Sequence, residues 1–362
     1  MNRLVLIGNG FDLAHGLKTK YEHFLIWYWE QRMHNIINNK SKVSYDGLCK
    51  LTTLKDVSWC SSVFSDMTLK HGNGVDIISH LIEDKENYNV ELYYLFERIH
   101  KSVGSKGWVD IENDYYSLLA RYISPVNAYS DKDICEINSQ LTILRNLLIR
   151  YLENEEKKDV ALFEGIRDNI YMPIIKRDIS IANNKYANGN LHEEILPSKI
   201  MLLNFNYTKT PELYMKGRSD VEINYIHGKL ENPDSVIFGY GDELDSDFEK
   251  LKEKNNNECL RHVKSIKYLE SDNYRRVLDF IESAPFQVCI MGHSCGISDR
   301  TLLNTIFEHK FCASIKPYFF INEKGVDNYL DIVMNISRNF KDMKLMRDRV
   351  VNKTYCEPLT RL

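Results

Sequence analysis

The 362-residue sequence has eight cysteines, at 49, 60, 135, 259, 289, 295, 312 and 356, yet no Cys-x-x-Cys pair among them. Zinc-finger spacing is therefore missing, and no metal site is expected. No stretch approaches about eighteen consecutive apolar residues, so no membrane span and no membrane partner are expected. The first apolar run breaks at Gly8, too early for a signal peptide. Reduced thiols and a cytoplasmic location follow as expectations. Positive charge is not in excess either: 47 Lys and Arg face 51 Asp and Glu, a formal charge of −4. Without a basic field, nucleic acid is not an expected partner. Internal repeats and low-complexity runs are also lacking.

What is present is an unusually clear opening. Leu4-Val5-Leu6-Ile7 is too short for a buried helix and rich in branched side chains, so it reads as a strand buried on both faces. Gly8-Asn9-Gly10 turns the chain, and Phe11 to Leu17 can start a helix. Doubly wound α/β folds open a nucleotide site in this order. Glycines let the backbone approach phosphate or ribose, and the helix N-terminus favours an anion. The third glycine of the dinucleotide fingerprint is absent, with Leu13 in its place. A tight strand-to-helix turn without a ligand fits the same residues. Under the ligand reading, Gly10 needs either positive φ or close approach of the ligand.

Residues 20–185 read mostly as helices. Ile134, Ile137, Leu141, Leu144, Leu148 and Leu152 recur at steps of three and four, as do Leu92, Leu95, Phe96 and Ile99, and then Leu162, Ile166 and Ile170. The polar stretch 183–197 reads as a loop. Strands return at Ile200–Leu203, Ile223–Ile226, Val236–Phe238, Gln287–Met291 and Lys316–Ile321, with helices over about 260–283, 299–310 and 325–340. The expected architecture is a single α/β domain over 1–362. It is Rossmann-like, with a mainly parallel sheet, a large helical insertion after the first βα unit, and a return to the sheet over 198–340.

Four strands end in polar or glycine-bearing motifs: Gly8-Asn9-Gly10-Phe11-Asp12, Asn204-Phe205-Asn206-Tyr207-Thr208, His227-Gly228-Lys229, and Gly292-His293-Ser294-Cys295-Gly296 running on to Asp299. A parallel sheet gathers the carboxyl ends of its strands at one edge, where ligands bind. Gly8, Asn9, Gly10 and Phe11 are thus candidates for holding a nucleotide. Ser294 and Asp299 either hold its ribose or cap the next helix. Asp12 and His15, three apart on the first helix, share a face. They either contact substrate or support the helix start. Asn206 either holds a polar ligand or bonds its own backbone as a turn residue. His227 has the near-neutral titration of a general base, or is a buried histidine satisfied by a carbonyl. Gly292-x-Ser294-x-Gly296 also satisfies a hydrolase elbow, but no oxyanion loop accompanies it.

The block Gly8-Asn-Gly-Phe-Asp-Leu-Ala-His-Gly-Leu17, with Tyr21 and Phe24, resembles the signature of the bacteriophage abortive infection AbiH family. Trp108-Val-Asp-Ile-Glu112, Asn204-Phe-Asn-Tyr-Thr208, Ile226-His-Gly228 and Phe238-Gly239 resemble that family's later blocks. The resemblance implies antiphage defence, in which an infected cell stops growing before phage matures, with a phage-derived trigger and self-association as expected partners. A second resemblance is to sirtuin-like NAD-consuming domains, through Gly8-Asn9-Gly10, Phe205-Asn206-Tyr207-Thr208, Ile226-His227-Gly228 and Gly292-His293-Ser294 with Asp299. Asn9 and Thr208 depart from that pattern, and the zinc module of protein deacetylases has no counterpart. This second resemblance implies NAD or a related nucleotide as substrate, with no further cofactor required. Asn206 would hold ribose or water and His227 would act as base. Trp108 and Glu112, in the insertion, either close the site from above or are a packed indole beside a solvated carboxylate, the reading that residue type favours. A nucleotide-binding sensor without catalysis is the alternative.

Overall fold

The computed structural model describes the chain except residues 58, 60–78, 80, 107–109, 127, 180–193, 216, 242, 244 and 361–362. Trp108 and most of the expected loop over 183–197 lie outside the described residues. The chain divides into two compact units. One comprises residues 1–17, 155–245 and 262–362, the other residues 18–154 and 246–261. The expected insertion thus stops near residue 154 rather than 185, and the second unit takes back a later segment.

The first unit is built on five strands: β1 (Asn2–Ile7), β2 (Ile200–Asn204), β3 (Val221–Tyr225), β4 (Phe286–Met291) and β5 (Cys312–Tyr318). Their order across the sheet is β5-β4-β1-β2-β3, and each neighbouring pair is parallel. This is a Rossmann-like winding. The chain moves outward from β1 through β2 to β3, then returns to the other side of β1 for β4 and β5. The switch point falls between β1 and β4.

The near-continuous apolar character of these strands follows from burial on both faces. Leu4, Leu6, Met201, Leu203, Val288 and Ile290 join one core. Val277 and Ile281 of helix Asn273–Ser283, and Leu303 and Ile306 of helix Arg300–Phe307, close over it. Val5, Ile7, Leu202, Cys289 and Met291 face the other way, against Phe11 of α1 (Asn9–Ala14) and Ile166 and Ile170 of helix Glu164–Tyr171. The two-residue alternation along each strand therefore feeds two helical layers.

One expected strand is absent. Val236–Phe238 does not pair as a strand, so β3 remains at the sheet edge. The chain just beyond it is drawn toward residues 262–264 instead. Tyr240 N donates to His262 O at 3.1 Å, and Lys264 N donates to Tyr240 O at 2.8 Å. A Cβ on Gly239 would overlap the His262 carbonyl, so glycine permits that close pass.

The second unit is not wholly helical. Val43–Tyr45, Cys49–Thr53 and Tyr88–Leu92 form an antiparallel sheet. Leu92, expected to begin a helix, instead ends a strand ahead of helix Tyr94–Lys106. Helix Tyr21–Asn38 sends Tyr28 and Trp29 against Phe96, and helix Asp131–Glu156 carries the expected stripe, with Ile134, Ile137, Leu141 and Leu144 fully buried. Glu112 lies in the first turn of helix Ile111–Leu119, whose N-cap Asp110 accepts from Asn113 N. Among the described residues no helix is long and apolar enough to cross a membrane.

Candidate functional site

Because the five strands are parallel, the segments following β1, β2, β3 and β4 emerge at one edge. At the switch point the glycine turn meets the end of β4 backbone to backbone. Gly10 N donates to Gly292 O at 2.8 Å, and Gly8 N to Met291 O at 3.3 Å. A Cβ on Gly10 would lie 2.9 Å from Gly292 Cα and O, and one on Gly8 would lie 2.5 Å from His293 Cα. Gly292 takes φ +75°, and its own Cβ would overlap Phe11 N. Neither Gly8 nor Gly10 adopts a positive φ. The close approach that requires glycine here is therefore to the neighbouring strand end.

On the β2 side of the turn lies Asp12, 1% exposed. Its Oδ2 accepts from Thr208 Oγ1 at 2.6 Å, while Oδ1 finds no hydrogen-bond partner among the described residues. Burial raises its pKa to about 6, against the opposing pull of Thr208, then Thr210 and Asn206. The surrounding turn is fixed by its own amides. Asn204 Nδ2 donates to Thr208 O at 2.9 Å, Asn204 Oδ1 accepts from Asn206 N at 3.1 Å, and Asn206 Nδ2 donates to Gly8 O at 3.0 Å. The local turn role expected of Asn206 is thus taken by Asn204, while the Asn206 side chain ties the end of β2 to the end of β1. That side chain remains half-buried rather than enclosed.

Phe205 links this group to a second one, its ring centroid 5.3 Å from that of His227 and 4.1 Å from that of His293. Here the centre is Asp299. Lys264 Nζ donates to Asp299 Oδ1 at 2.8 Å, and His227 Nε2 lies 3.2 Å from the same oxygen. His293 Nε2 lies 3.6 Å from Oδ2. His293 Nδ1 accepts from Cys295 N at 3.0 Å, so a neutral His293 ring carries its proton on Nε2, facing the carboxylate. His227 Nδ1 faces Phe205 O at 3.3 Å, and Nε2 also meets Tyr268 Oη at 3.2 Å. Burial, then Lys264, hold the His227 pKa below its ordinary value, with Asp299 opposing them. Asp299 is held well below the usual carboxylate range by Lys264 and His227, in spite of burial. Among the described residues no His, Cys, Asp and Glu cluster suits a metal ion, and here Lys264 already occupies the carboxylate.

The sequence candidates therefore separate. Gly8, Asp12 and Asn206 come together in one group, and His227 and Asp299 in the other. His15 joins neither. Its Nδ1 meets Phe11 O and its Nε2 meets Tyr214 Oη, both at 2.7 Å, with burial lowering its pKa. The expected shared face of Asp12 and His15 is thus split between different partners. Phe11 is fully buried in the core beside His15 and Tyr214. Asn9 and Ser294 are exposed, and the Ser294 carbonyl accepts from Asn335. Lys264, Tyr268 and His293 were not singled out from sequence. His293 shares a motif with Ser294 and could have been; Lys264 and Tyr268 follow no strand and carry no motif.

The family model for bacteriophage abortive infection AbiH matches residues 4–320 of the chain. No curated protein and no solved structure matches it.

Proposed function

The chain belongs to the bacteriophage abortive infection AbiH family, and from that premise we propose that it acts by binding a nucleotide such as NAD at the carboxyl edge of its sheet and hydrolysing it. The observation that carries this reading is Asp12. A buried carboxyl with one oxygen lacking a hydrogen-bond partner among the described residues and a pKa raised to about 6 is costly to keep for structure alone, yet ionises near neutrality, where its carboxylate can face a developing positive charge. Cleaving a nicotinamide–ribose bond passes through an oxocarbenium-like state that a nearby carboxylate stabilises. The C–N bond breaks with its electron pair leaving on nicotinamide, a water oxygen bonds to the ribose carbon, and that water gives up a proton. Asn206 holds ribose or the water, and His227, kept neutral by its surroundings, accepts the proton. Water is the only co-reactant, so no cofactor is required. Gly8, Gly10 and Asp299 shape the edge around the ligand.

A non-catalytic sensor is the second reading. The Asp299 group favours it, since that carboxylate already has cationic and hydrogen-bonding partners within the chain. Both readings assign activation to a phage-derived trigger, with self-association a property to be read by light scattering.

The test is phage challenge of cells expressing wild type, Asn206→Ala or His227→Ala, with nucleotide pools followed through infection. Hydrolysis predicts that NAD falls only with wild type and that both soluble variants lose protection. Growth arrest with unchanged nucleotides supports the sensor. Full protection by both variants overturns the catalytic assignment.

A further inference from the structure

We propose that Lys264 is a positioning residue: by pinning the Asp299 carboxylate it fixes the placement of His227 and His293 and sets the charge that His227 carries. This rests on the reading above only for the use to which His227 is put. Lys264 is 1% exposed, and its ammonium lies 2.8 Å from Asp299 Oδ1. A buried ammonium stays charged only where a carboxylate or equivalent receives it. The stem is placed from the backbone: Lys264 N donates to Tyr240 O, and a Cβ on Gly241 would lie 3.1 Å from Lys264 Cβ. Glycine at 241 therefore leaves room for this lysine.

The consequence comes from sharing one oxygen. Lys264 and His227 both address Oδ1 of Asp299, so a proton on His227 would place two cations on a single carboxylate oxygen. Lys264 thus opposes protonation of His227, while Asp299 favours it. The other groups facing the ring are His293, Tyr268 and the Phe205 carbonyl. His293 adds a further opposing charge only if it is itself protonated. The lysine thereby keeps His227 neutral and able to accept a proton, while the carboxylate keeps the ring aligned. The three residues gripping Asp299 come from three separate segments, one after β3, one after β4 and one beyond Tyr240. The cluster is therefore the tie point of this part of the edge.

The experiment is an NMR titration of His227 in the full chain, for wild type, Lys264→Met and Asp299→Asn, with thermal melts of each. Lys264→Met is expected to raise the His227 midpoint by about one pH unit or more, a tenfold gain in proton affinity, and Asp299→Asn to lower it. Lys264→Gln keeps much of the stem and a donor to Asp299 without the charge. It carries the same expectation if Lys264→Met does not fold. If wild type releases nicotinamide from NAD, the acid limb of its pH profile should rise with the midpoint in the lysine variants. A midpoint unmoved by loss of the lysine charge, or moved in the same direction by both kinds of variant, overturns the proposal. The titration needs no substrate. Absence of nicotinamide release would sink the hydrolase reading and leave this one standing.

Discussion

Asp12 and Asp299 are both buried carboxyls near strand ends of one sheet, yet their environments push them in opposite directions. Asp12 has hydroxyl and amide neighbours and no ion pair among the described residues, and burial carries its pKa up to about 6. Asp299 is also buried, but Lys264 and His227 reverse the effect and hold it well below the ordinary range. Burial alone does not decide the charge of a carboxyl; the cations built beside it do. Under the proposed hydrolysis the pair would also divide the labour. Asp299 is a fixed charge that holds its neighbours, and Asp12 is a group that can change charge near pH 6.

The largest effect expected from breaking this contrast is at Asp299. Asp299→Ala leaves the Lys264 ammonium buried without its partner and should cost about 3–5 kcal/mol, measured by denaturant unfolding at pH 7. A loss below about 1 kcal/mol would mean that Lys264 finds another partner or gives up its proton.

Asp12 should show the opposite sign. Its folded pKa lies above the unfolded value, so it contributes stability below about pH 4 that is lost as pH rises through 6. Relative to Asp12→Asn, wild type should therefore lose roughly 2 kcal/mol between pH 4 and pH 7. Unfolding curves at pH 4, 5, 6 and 7 check this, and a constant difference would contradict it.

The glycine turn beside Asp12 comes next. Gly10→Val drives a side chain into the Gly292 backbone and should destabilise by roughly 1–3 kcal/mol. Calorimetry with and without nucleotide then separates strain from lost binding; an unchanged melting temperature with lost binding would favour the ligand cradle. The smallest expected effect is at Thr208. Thr208→Val removes the donor to Asp12 Oδ2, should cost about 1–2 kcal/mol, and should push the Asp12 titration higher still.

The same contrast marks what could be read from the amino acids. Leu4–Ile7, Ile200–Leu203 and Gln287–Met291 were legible as strands because burial on both faces leaves an unbroken apolar run. The strands Val43–Tyr45 and Tyr88–Leu92 were not, since a partly exposed antiparallel sheet alternates and its short members blend into neighbouring helices. Val236–Phe238 has strand composition, but the chain beyond it pairs with residues 262–264. Asp12, Asn206, His227 and Asp299 could be chosen because they follow strands in polar motifs. Helical spacing grouped Asp12 with His15, whereas the fold turns His15 to Tyr214. Lys264 was invisible: one lysine among many acquires meaning only when the chain folds it against Asp299, thirty-five residues on.

The most direct test of the central claim is nicotinamide release from NAD by the purified protein, compared between wild type and Asp12→Asn from pH 5 to 8. Wild type should release nicotinamide with a rate that climbs through about pH 6 as Asp12 ionises, and Asp12→Asn should lose that rate while remaining folded. Release by Asp12→Asn equal to wild type across the range, or none by wild type, would contradict the account.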